Sequence, residues 1–588
     1  MKKTFTYQNE LPTLPIPPLE MTKSKLLEWI EPLVSVDQYK QTTKVIERFF
    51  VENGEAEKLQ EKLLEWQENR SGSWLKPFWD DLYLKHRDSL PSSMNFNVLL
   101  TNNHKERYAL SEMIGQVCYL SAQYYHMIID EEIEPAIVRG MPLDMSQYKK
   151  FFRSVRIPRP ERDEIFVAEY EKKNNHVILL YQNNVYKIDV TNEEGDLYPG
   201  EAIAKVIEEM FRNEREEGVN VGIFTTAKRD QAAKAYDKLK LSKVNAKTLQ
   251  TIADALVVIS IDEKSENAEE AIQNLMLHED NKYFDKTIQI IITKAGKLGF
   301  NIEHSAVDGT SIYSVIRHIS KGLKKDPSPQ LVQLPAKPNI EKQQWELTQE
   351  LQDLFIQFHE DHEQRKKRYF LHSQTFMDFG AEKIKSLRFS PDAFFHIALQ
   401  VAQYRTFGEF RSVYEPVATR YFYEGRTECA RATSMEKSRF VEALDDRQET
   451  VDRLYALMNK AGAAHSARIH DCQKGFGVER HMYGLEKIYH LFGAELGIPS
   501  LPEIFKDEGY VTLRHDSIST SGMAYDNVKY RMFAPVVKGG FGVAYILLEN
   551  SMSINISSHM EDKHICQQLM RHLIDALHEL RTIADREQ

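Results

Sequence analysis

The segment Gly299-Phe300-Asn301-Ile302-Glu303-His304-Ser305-Ala306-Val307-Asp308-Gly309 is the stretch best suited to chemistry. It follows the apolar run Thr287–Thr293, which reads as a strand. His304 therefore leaves a strand with a carboxylate four residues on and a glycine behind it. An imidazole titrates near neutral pH, so His304 is a candidate general base for a hydroxyl or a thiol. With 20 histidines in the chain, the pattern alone reads equally as a surface or satisfied core histidine. Asp516-Ser517-Ile518-Ser519-Thr520-Ser521-Gly522 clusters hydroxyls that could donate to a developing oxyanion, or that simply make a polar turn. Lys383, Lys385 and Arg388 precede Ser390-Pro391, so three cations and a helix start coincide. That combination favours phosphate, although a solvated charged face has the same composition. Tyr414-Glu415-Pro416-Val417-Ala418-Thr419-Arg420, Gly425-Arg426-Thr427-Glu428-Cys429 and Glu479-Arg480-His481 supply arginines able to grip a carboxylate with two parallel hydrogen bonds. Taken singly, none of these is informative.

The elements that must carry these residues follow from periodicity. Helical spacing runs from about Met21 to Asn69, with Leu26, Leu27, Leu59, Leu63 and Leu64 at i, i+3, i+4. From about Pro158 to Asn301 strands and helices alternate. His176–Leu180 and Val185–Val190 flank Gln182-Asn183-Asn184 as a hairpin, and Gly222–Thr226, Ala255–Ile261 and Thr287–Thr293 read as buried strands. Lys324–Asn339, with four prolines, reads as a linker between two bodies. Ser390 as N-cap and Pro391 in the first turn open a helix. Tyr530–Val537 and Gly542–Leu548 read as strands joined by Lys538–Phe541. A last helix, about His559–Ile583, aligns Ile565, Leu569, Leu573, Leu577 and Leu580. The layer architecture is α/β.

Composition narrows the function classes. The chain has 588 residues, 42% hydrophobic and 28% charged, which excludes a disordered or collagen-like chain. A net charge of −11 argues against a global nucleic-acid binder. No apolar run reaches the ~20 residues of a membrane helix, so no membrane span is expected. Four scattered cysteines argue against a disulfide framework or a cysteine-rich zinc site. Neither end carries a visible secretion, peroxisomal or retention signal, so a cytoplasmic protein is expected. No metal and no permanently bound cofactor are expected, and a monomer is favoured.

In this order, the segments resemble the choline/carnitine O-acyltransferase family over nearly the whole chain. The resemblance runs from Leu11-Pro-Thr-Leu-Pro-Ile-Pro-Pro-Leu19 through Tyr83-Leu84, Arg87, Arg156-Ile157-Pro158, Thr225-Thr226 and Arg229-Asp230. It continues through Phe284-Asp285-Lys286, the His304 motif, Ser390-Pro391-Asp392-Ala393-Phe394, Tyr414-Glu415 and Gly425-Arg426-Thr427. Ser519-Thr520-Ser521 and Pro535-Val536-Val537 close it. The resemblance implies two chloramphenicol-acetyltransferase-like domains with an active-site tunnel at their interface. One domain, 70–347, would carry the histidine. The other, 10–69 with 348–588, would carry the CoA- and carnitine-binding segments.

The resemblance also implies roles. His304 is the general base, Ser521 the oxyanion hydroxyl with Ser519 beside it, and Asp308 with Arg426 a scaffold pair. Lys385 and Asp392 lie near CoA. A lysine is usual after the glycine matching Gly380, and this chain has Ala381, so Lys383 is expected to take over the phosphate contact. Arg480, with Tyr414 and Thr427, matches the contacts to the carboxylate of carnitine. Cys429 replaces a hydroxyl common in the family's animal carnitine enzymes. Arg531 matches a position that gates the acyl pocket, where a bulky residue limits chain length. The expected function is reversible transfer of a short acyl group between CoA and L-carnitine, with both as substrates and no acyl-enzyme. A choline O-acetyltransferase and a non-catalytic acyl-CoA or carnitine binding protein are the alternatives.

Overall fold

A computed structural model describes residues 3–214, 216–325, 337–446 and 448–586. Most of the proline-rich segment read as a linker, Lys324–Asn339, lies outside them. The chain divides into two compact units. The first comprises Met1–Asn9, Asp80–Tyr369 and Asn527–Phe533, and the second Glu10–Trp79, Phe370–Asp526 and Ala534–Gln588. The boundaries thus fall at about 79/80 and 369/370 rather than at 70 and 347. The strand Val528–Met532, expected with the carboxyl-terminal body, belongs to the first unit. The reason is its hydrogen bonding: it pairs antiparallel with Phe96–Asn103, setting Arg531 opposite Val98.

The first unit is built on a mixed sheet of eight strands in the order Ile340–Lys342, Asn184–Asp189, His176–Tyr181, Val258–Asp262, Ile288–Thr293, Lys297–Ile302, Phe96–Asn103 and Val528–Met532. Val258–Asp262 and Ile288–Thr293 are buried at every position, as β-branched runs inside a covered sheet should be. The hairpin at Gln182-Asn183 closes with both residues at positive φ (47° and 58°), the conformation that a tight two-residue turn demands. The segment Gly222–Thr226, read as a strand, is instead part of a 3-10 helix, Val221–Thr226. The hydroxyls of Thr225 and Thr226 donate to the carbonyls of Gly222 and Ile223, three residues back, and so favour a coiled over an extended backbone.

The second unit holds a five-stranded sheet in the order Tyr369–Phe376, Met552–His559, Phe541–Leu547, Ile518–Met523 and Val413–Tyr414. The predicted strands around Tyr530 and Val543 therefore do not pair with each other; they lie in different sheets. The helices Pro391–Phe407 and Lys563–Arg586 supply much of this unit's core. Leu569, Leu573, Leu577 and Leu580 are buried, while Ile565 is 37% exposed and the buried place beside it belongs to Cys566. Ser390 stands at the N-cap with Pro391 behind it, but its hydroxyl makes no capping bond. Three early helices, Leu19–Ile30, Val36–Phe49 and Glu55–Glu68, pack in this unit too. Thr22 and Gln60 both hydrogen-bond the ring of His481, and Thr42 donates to Asp507.

Candidate active site

His304 sits just past the strand Lys297–Ile302, with its side chain 25% exposed. Its Nδ1 lies 2.8 Å from the carbonyl oxygen of Val307. A carbonyl can only accept, so Nδ1 carries the proton and Nε2 the lone pair. The ring is packed between Phe96, edge-on at 4.9 Å, and Tyr83 at 5.6 Å. Asp308 Oδ1 is 3.9 Å from Nδ1, too far for a hydrogen bond. Its other oxygen accepts from the Gln147 amide at 2.7 Å, while the Asp308 backbone N–H donates to Gln147 Oε1 at 2.8 Å. Gln147 thus clamps the turn after the histidine.

A buried ionic network braces the other side of that turn. Arg156 donates to Ser305 Oγ (2.8 Å), and contacts Glu303 (3.3 Å) and Asp163 (2.7 Å). Arg229 bridges Asp163 (2.6 Å) and Asp285 (2.8 Å). Burial pushes Asp285 up to about 6 against the pull of Arg229. Arg156, Arg229 and Asp285 entered the sequence reading only as points of resemblance. Gln147, Asp163 and Glu303 were missed as supports, because their partners lie far away in sequence.

Arg531 is buried on Val528–Met532. Its guanidinium carbon lies 5.3 Å from the centroid of Phe96, the ring that touches His304. Nη2 would lie 3.3 Å from a Cβ placed on Gly309, where the helix Gly309–Lys324 begins. The bulky cation therefore faces the histidine's surroundings.

In the second unit, Ser519, Thr520 and Ser521 lie within the strand Ile518–Met523 and not in a polar turn. Successive strand residues point to opposite faces, so Ser519 and Ser521 share one face. Thr520 faces the other way and donates to the Tyr414 carbonyl at 2.9 Å.

Arg480, Tyr414 and Thr427 come together. Arg480 Nε donates to the Thr427 carbonyl at 3.0 Å, Nη2 donates to Tyr414 Oη at 2.9 Å, and the guanidinium lies 4.1 Å from the Trp79 ring centroid. Among the described residues no carboxylate pairs with this buried guanidinium. The neighbouring acids are committed elsewhere. Glu479 pairs with Arg431 through two 3.0 Å bonds. Glu428 accepts backbone N–H groups of Cys429 (2.8 Å) and Arg480 (3.1 Å). Burial raises Glu428 to about 7, partly offset by Arg480. Arg426 is buried in the turn joining the strands Pro416–Ala418 and Thr427–Cys429. Cys429 is fully buried, and burial pushes its thiol up to about 12.

A cleft of about 780 Å³ opens in the same unit, lined by Ala381, Lys385, Ser390, Asp392, Tyr545 and neighbouring residues. Gly380 makes its edge possible, because a Cβ there would lie 2.4 Å from the Ser551 nitrogen. Among the described residues, Lys385 is the one cation in this lining, against Glu382, Asp392, Glu415 and Glu549. Lys383, expected to take over a phosphate contact, is absent from the lining and pairs with Asp585 at 2.6 Å. The carboxylate of Asp585 at the end of the last helix draws it there.

No helix among the described residues is long and apolar enough to cross a membrane. A family model described as Choline/Carnitine o-acyltransferase matches residues 14–578. Carnitine O-acetyltransferase of Mus musculus is 28% identical over 98% of this chain and 94% of its own. Mitochondrial carnitine O-palmitoyltransferase 2 of Homo sapiens is also 28% identical, over 95% of this chain and 89% of its own. Among solved structures, the trichothecene 15-O-acetyltransferase of Fusarium sporotrichioides aligns with 86% of this chain and 94% of its own, at 8% identity and a TM-score of 0.37. The α/β class stands on the strands and helices themselves. The family match spans almost every segment from which the site is built, and the chain belongs to the choline/carnitine O-acyltransferase family.

Proposed function

We propose that this acyltransferase moves a short acyl group reversibly between CoA and the hydroxyl of L-carnitine. The observation that carries the acceptor assignment is Arg480. A buried guanidinium held by a carbonyl, a phenol and an indole face, with no carboxylate paired to it among the described residues, calls for a carboxylate from outside. Carnitine brings one and choline does not. Leaving such a charge unpaired at a binding site costs roughly 2–5 kcal/mol.

The proposed chemistry is direct transfer. Nε2 of His304 takes the hydroxyl proton as the oxygen attacks the thioester carbonyl. The tetrahedral oxyanion is assigned to Ser521. The C–S bond then breaks, and the CoA sulfur receives the proton back from the imidazolium. Asp308 and Arg426 keep the scaffold roles that the family pattern gives them. The cleft lined by Lys385, Ser390 and Asp392 is assigned to CoA, with Lys385 as its phosphate contact. Arg531 beside Phe96 supports a short acyl group such as acetyl or propionyl.

The test measures CoA thiol release from acetyl-CoA with L-carnitine and choline in parallel. Release is expected with carnitine alone. Arg480→Asn should raise the carnitine KM by ~30-fold or more, the lower end of that 2–5 kcal/mol range. Unaltered carnitine turnover in that variant would refute the carboxylate assignment, and release with choline alone would favour the choline enzyme.

A further inference from the structure

Two histidines and two carboxylates meet inside the second unit, beneath the cleft assigned to CoA, whose lining includes Asp392 and Glu415. Asp392 and His396 stand four apart on the helix Pro391–Phe407. Glu415 lies between the strands Val413–Tyr414 and Pro416–Ala418, and His465 comes from the helix Val451–Gln473. One candidate ligand atom from each lies within 4.8 Å of all the others. His396 Nε2 is 3.3 Å from Glu415 Oε2. His465 Nε2 is 3.3 Å from Asp392 Oδ2 and 3.7 Å from Glu415 Oε1. A tetrahedral cation with bonds of about 2.0–2.1 Å has ligand–ligand edges of about 3.3–3.4 Å; two of these contacts already have that length, Glu415 turns a different oxygen to each histidine, and the longer separations, within 4.8 Å, must shorten on binding.

Two further observations point to a ligand. Glu415 is only 5% exposed, and its Oε2 has no hydrogen-bond partner. That oxygen faces His396 Nε2. The two imidazoles are also stacked, with centroids 4.9 Å apart, and held from outside the cluster. Lys437 Nζ lies 3.0 Å from His465 Nδ1, which leaves Nε2 turned toward the carboxylates. Tyr545 Oη donates to Asp392 Oδ1 at 2.6 Å and lies 3.1 Å from His396 Nε2.

We propose that Asp392, His396, Glu415 and His465 bind one divalent cation of the zinc class, entering from the cleft that Asp392 and Glu415 line. Two imidazoles and two carboxylates suit zinc and its visible-spectrum substitute cobalt better than the all-oxygen sets preferred by calcium or magnesium. On entry the cation replaces the proton that His396 Nε2 directs at Tyr545, and it satisfies the unpartnered oxygen of Glu415.

The test uses the full chain, stripped with a chelator and titrated with Co²⁺, then with Zn²⁺ in competition. One equivalent of Co²⁺ should bind, with the strong visible absorption of a four-coordinate site, and one equivalent of Zn²⁺ should displace it. His396→Gln and His465→Gln should each weaken binding by at least ~10-fold, an effect that even an outer-sphere partner can carry. His359→Asn should change nothing; it dismantles the more exposed trio Glu279, His359 and Glu363, where adventitious metal would collect. Zn²⁺ should raise the Tm of the parent chain and not that of either histidine variant. Should both histidine variants fail to fold, Glu415→Gln replaces them with the same expectations. No saturable Co²⁺ binding, binding unchanged in the cluster variants, or binding lost with His359→Asn would overturn the proposal. None of these readouts depends on acyl transfer, so this site and the proposed reaction can fail separately.

Discussion

At the scale of single residues, one hydrogen bond decides which nitrogen of His304 acts. Because the Nδ1–H donates a hydrogen bond to the Val307 carbonyl, the basic nitrogen is Nε2. His304→Ala should lower kcat by ~10²–10⁴, the usual reach of a general base. Single-turnover release of CoA from acetyl-CoA reads it, and an unaffected rate would remove His304 from the mechanism. Ser521→Ala should cost up to ~10²–10³, as the loss of one oxyanion donor does elsewhere. Arg531 is the residue to change for chain length. Arg531→Gly should shift the ratio of kcat/KM from acetyl-CoA toward octanoyl-CoA, by ~10-fold or more if each methylene then admitted is worth ~1 kcal/mol. A ratio that stays put would mean that another wall limits the acyl group.

At the scale of elements, the strand Ile518–Met523 and the helix Ala381–Ser386 carry the argument. The strand's two-residue period puts Ser519 and Ser521 on one face, while Thr520 ties the other face to the backbone of Tyr414. The short helix is docked by backbone. Ala381 and Glu382 donate to the carbonyls of Leu548 and Glu549 at 2.8 and 2.9 Å, and Gly380 leaves room for that approach. Its two lysines then diverge, Lys385 to the cleft and Lys383 to Asp585. Lys385→Ala should therefore raise the acetyl-CoA KM by ~10–100-fold with kcat little changed, the worth of one charged contact of ~1.5–3 kcal/mol. Lys383→Ala should leave that KM within about twofold. Ala381→Lys, which restores the family's usual cation on the cleft lining, should lower it. Initial rates against acetyl-CoA concentration distinguish the three, and an equal effect of both alanine variants would refute the division of labour.

At the scale of the whole molecule, buried neutral histidines set the response to acid. Burial pushes His176, His362 and His481 down from 6.5 to about 3, and His318 to about 4. Below pH 6.5 the unfolded chain binds protons that the folded chain refuses, so their contribution to stability is lost as pH falls from 6.5 toward 3. Glu428 and Asp285, raised by burial to about 7 and 6, act with the opposite sign, since the folded chain takes up their protons first. Four histidines outweigh two carboxyls, and the urea midpoint should be lower at pH 5 than at pH 7. His481→Gln should recover about 2 kcal/mol of that loss, which follows from one histidine at ~6.5 unfolded and ~3 folded. A midpoint that rises from pH 7 to pH 5 would contradict this balance.

The sequence by itself determined the local features: the buried strands Val258–Asp262 and Ile288–Thr293, the hairpin at Gln182-Asn183, the helix opened by Pro391, and the family through the order of its motifs. Each rests on neighbours in the chain, whose period and turn chemistry are written locally. Tertiary structure decided what depends on partners far apart in sequence. Val528–Met532 joins the sheet of the first unit because its unpaired edge finds Phe96–Asn103. Gly222–Thr226 coils where Thr225 Oγ1 accepts the Phe284 N–H and the Thr226 carbonyl accepts Ser89 and Arg365, all distant in sequence. Lys383 turns to Asp585, some 200 residues away in sequence. The same holds for the clamp of Gln147 on Asp308, the Arg156 network and the cluster of Asp392, His396, Glu415 and His465. A charge or a ligand acquires its role only when folding brings its counterpart within a few ångströms, and no spacing along the chain records that distance.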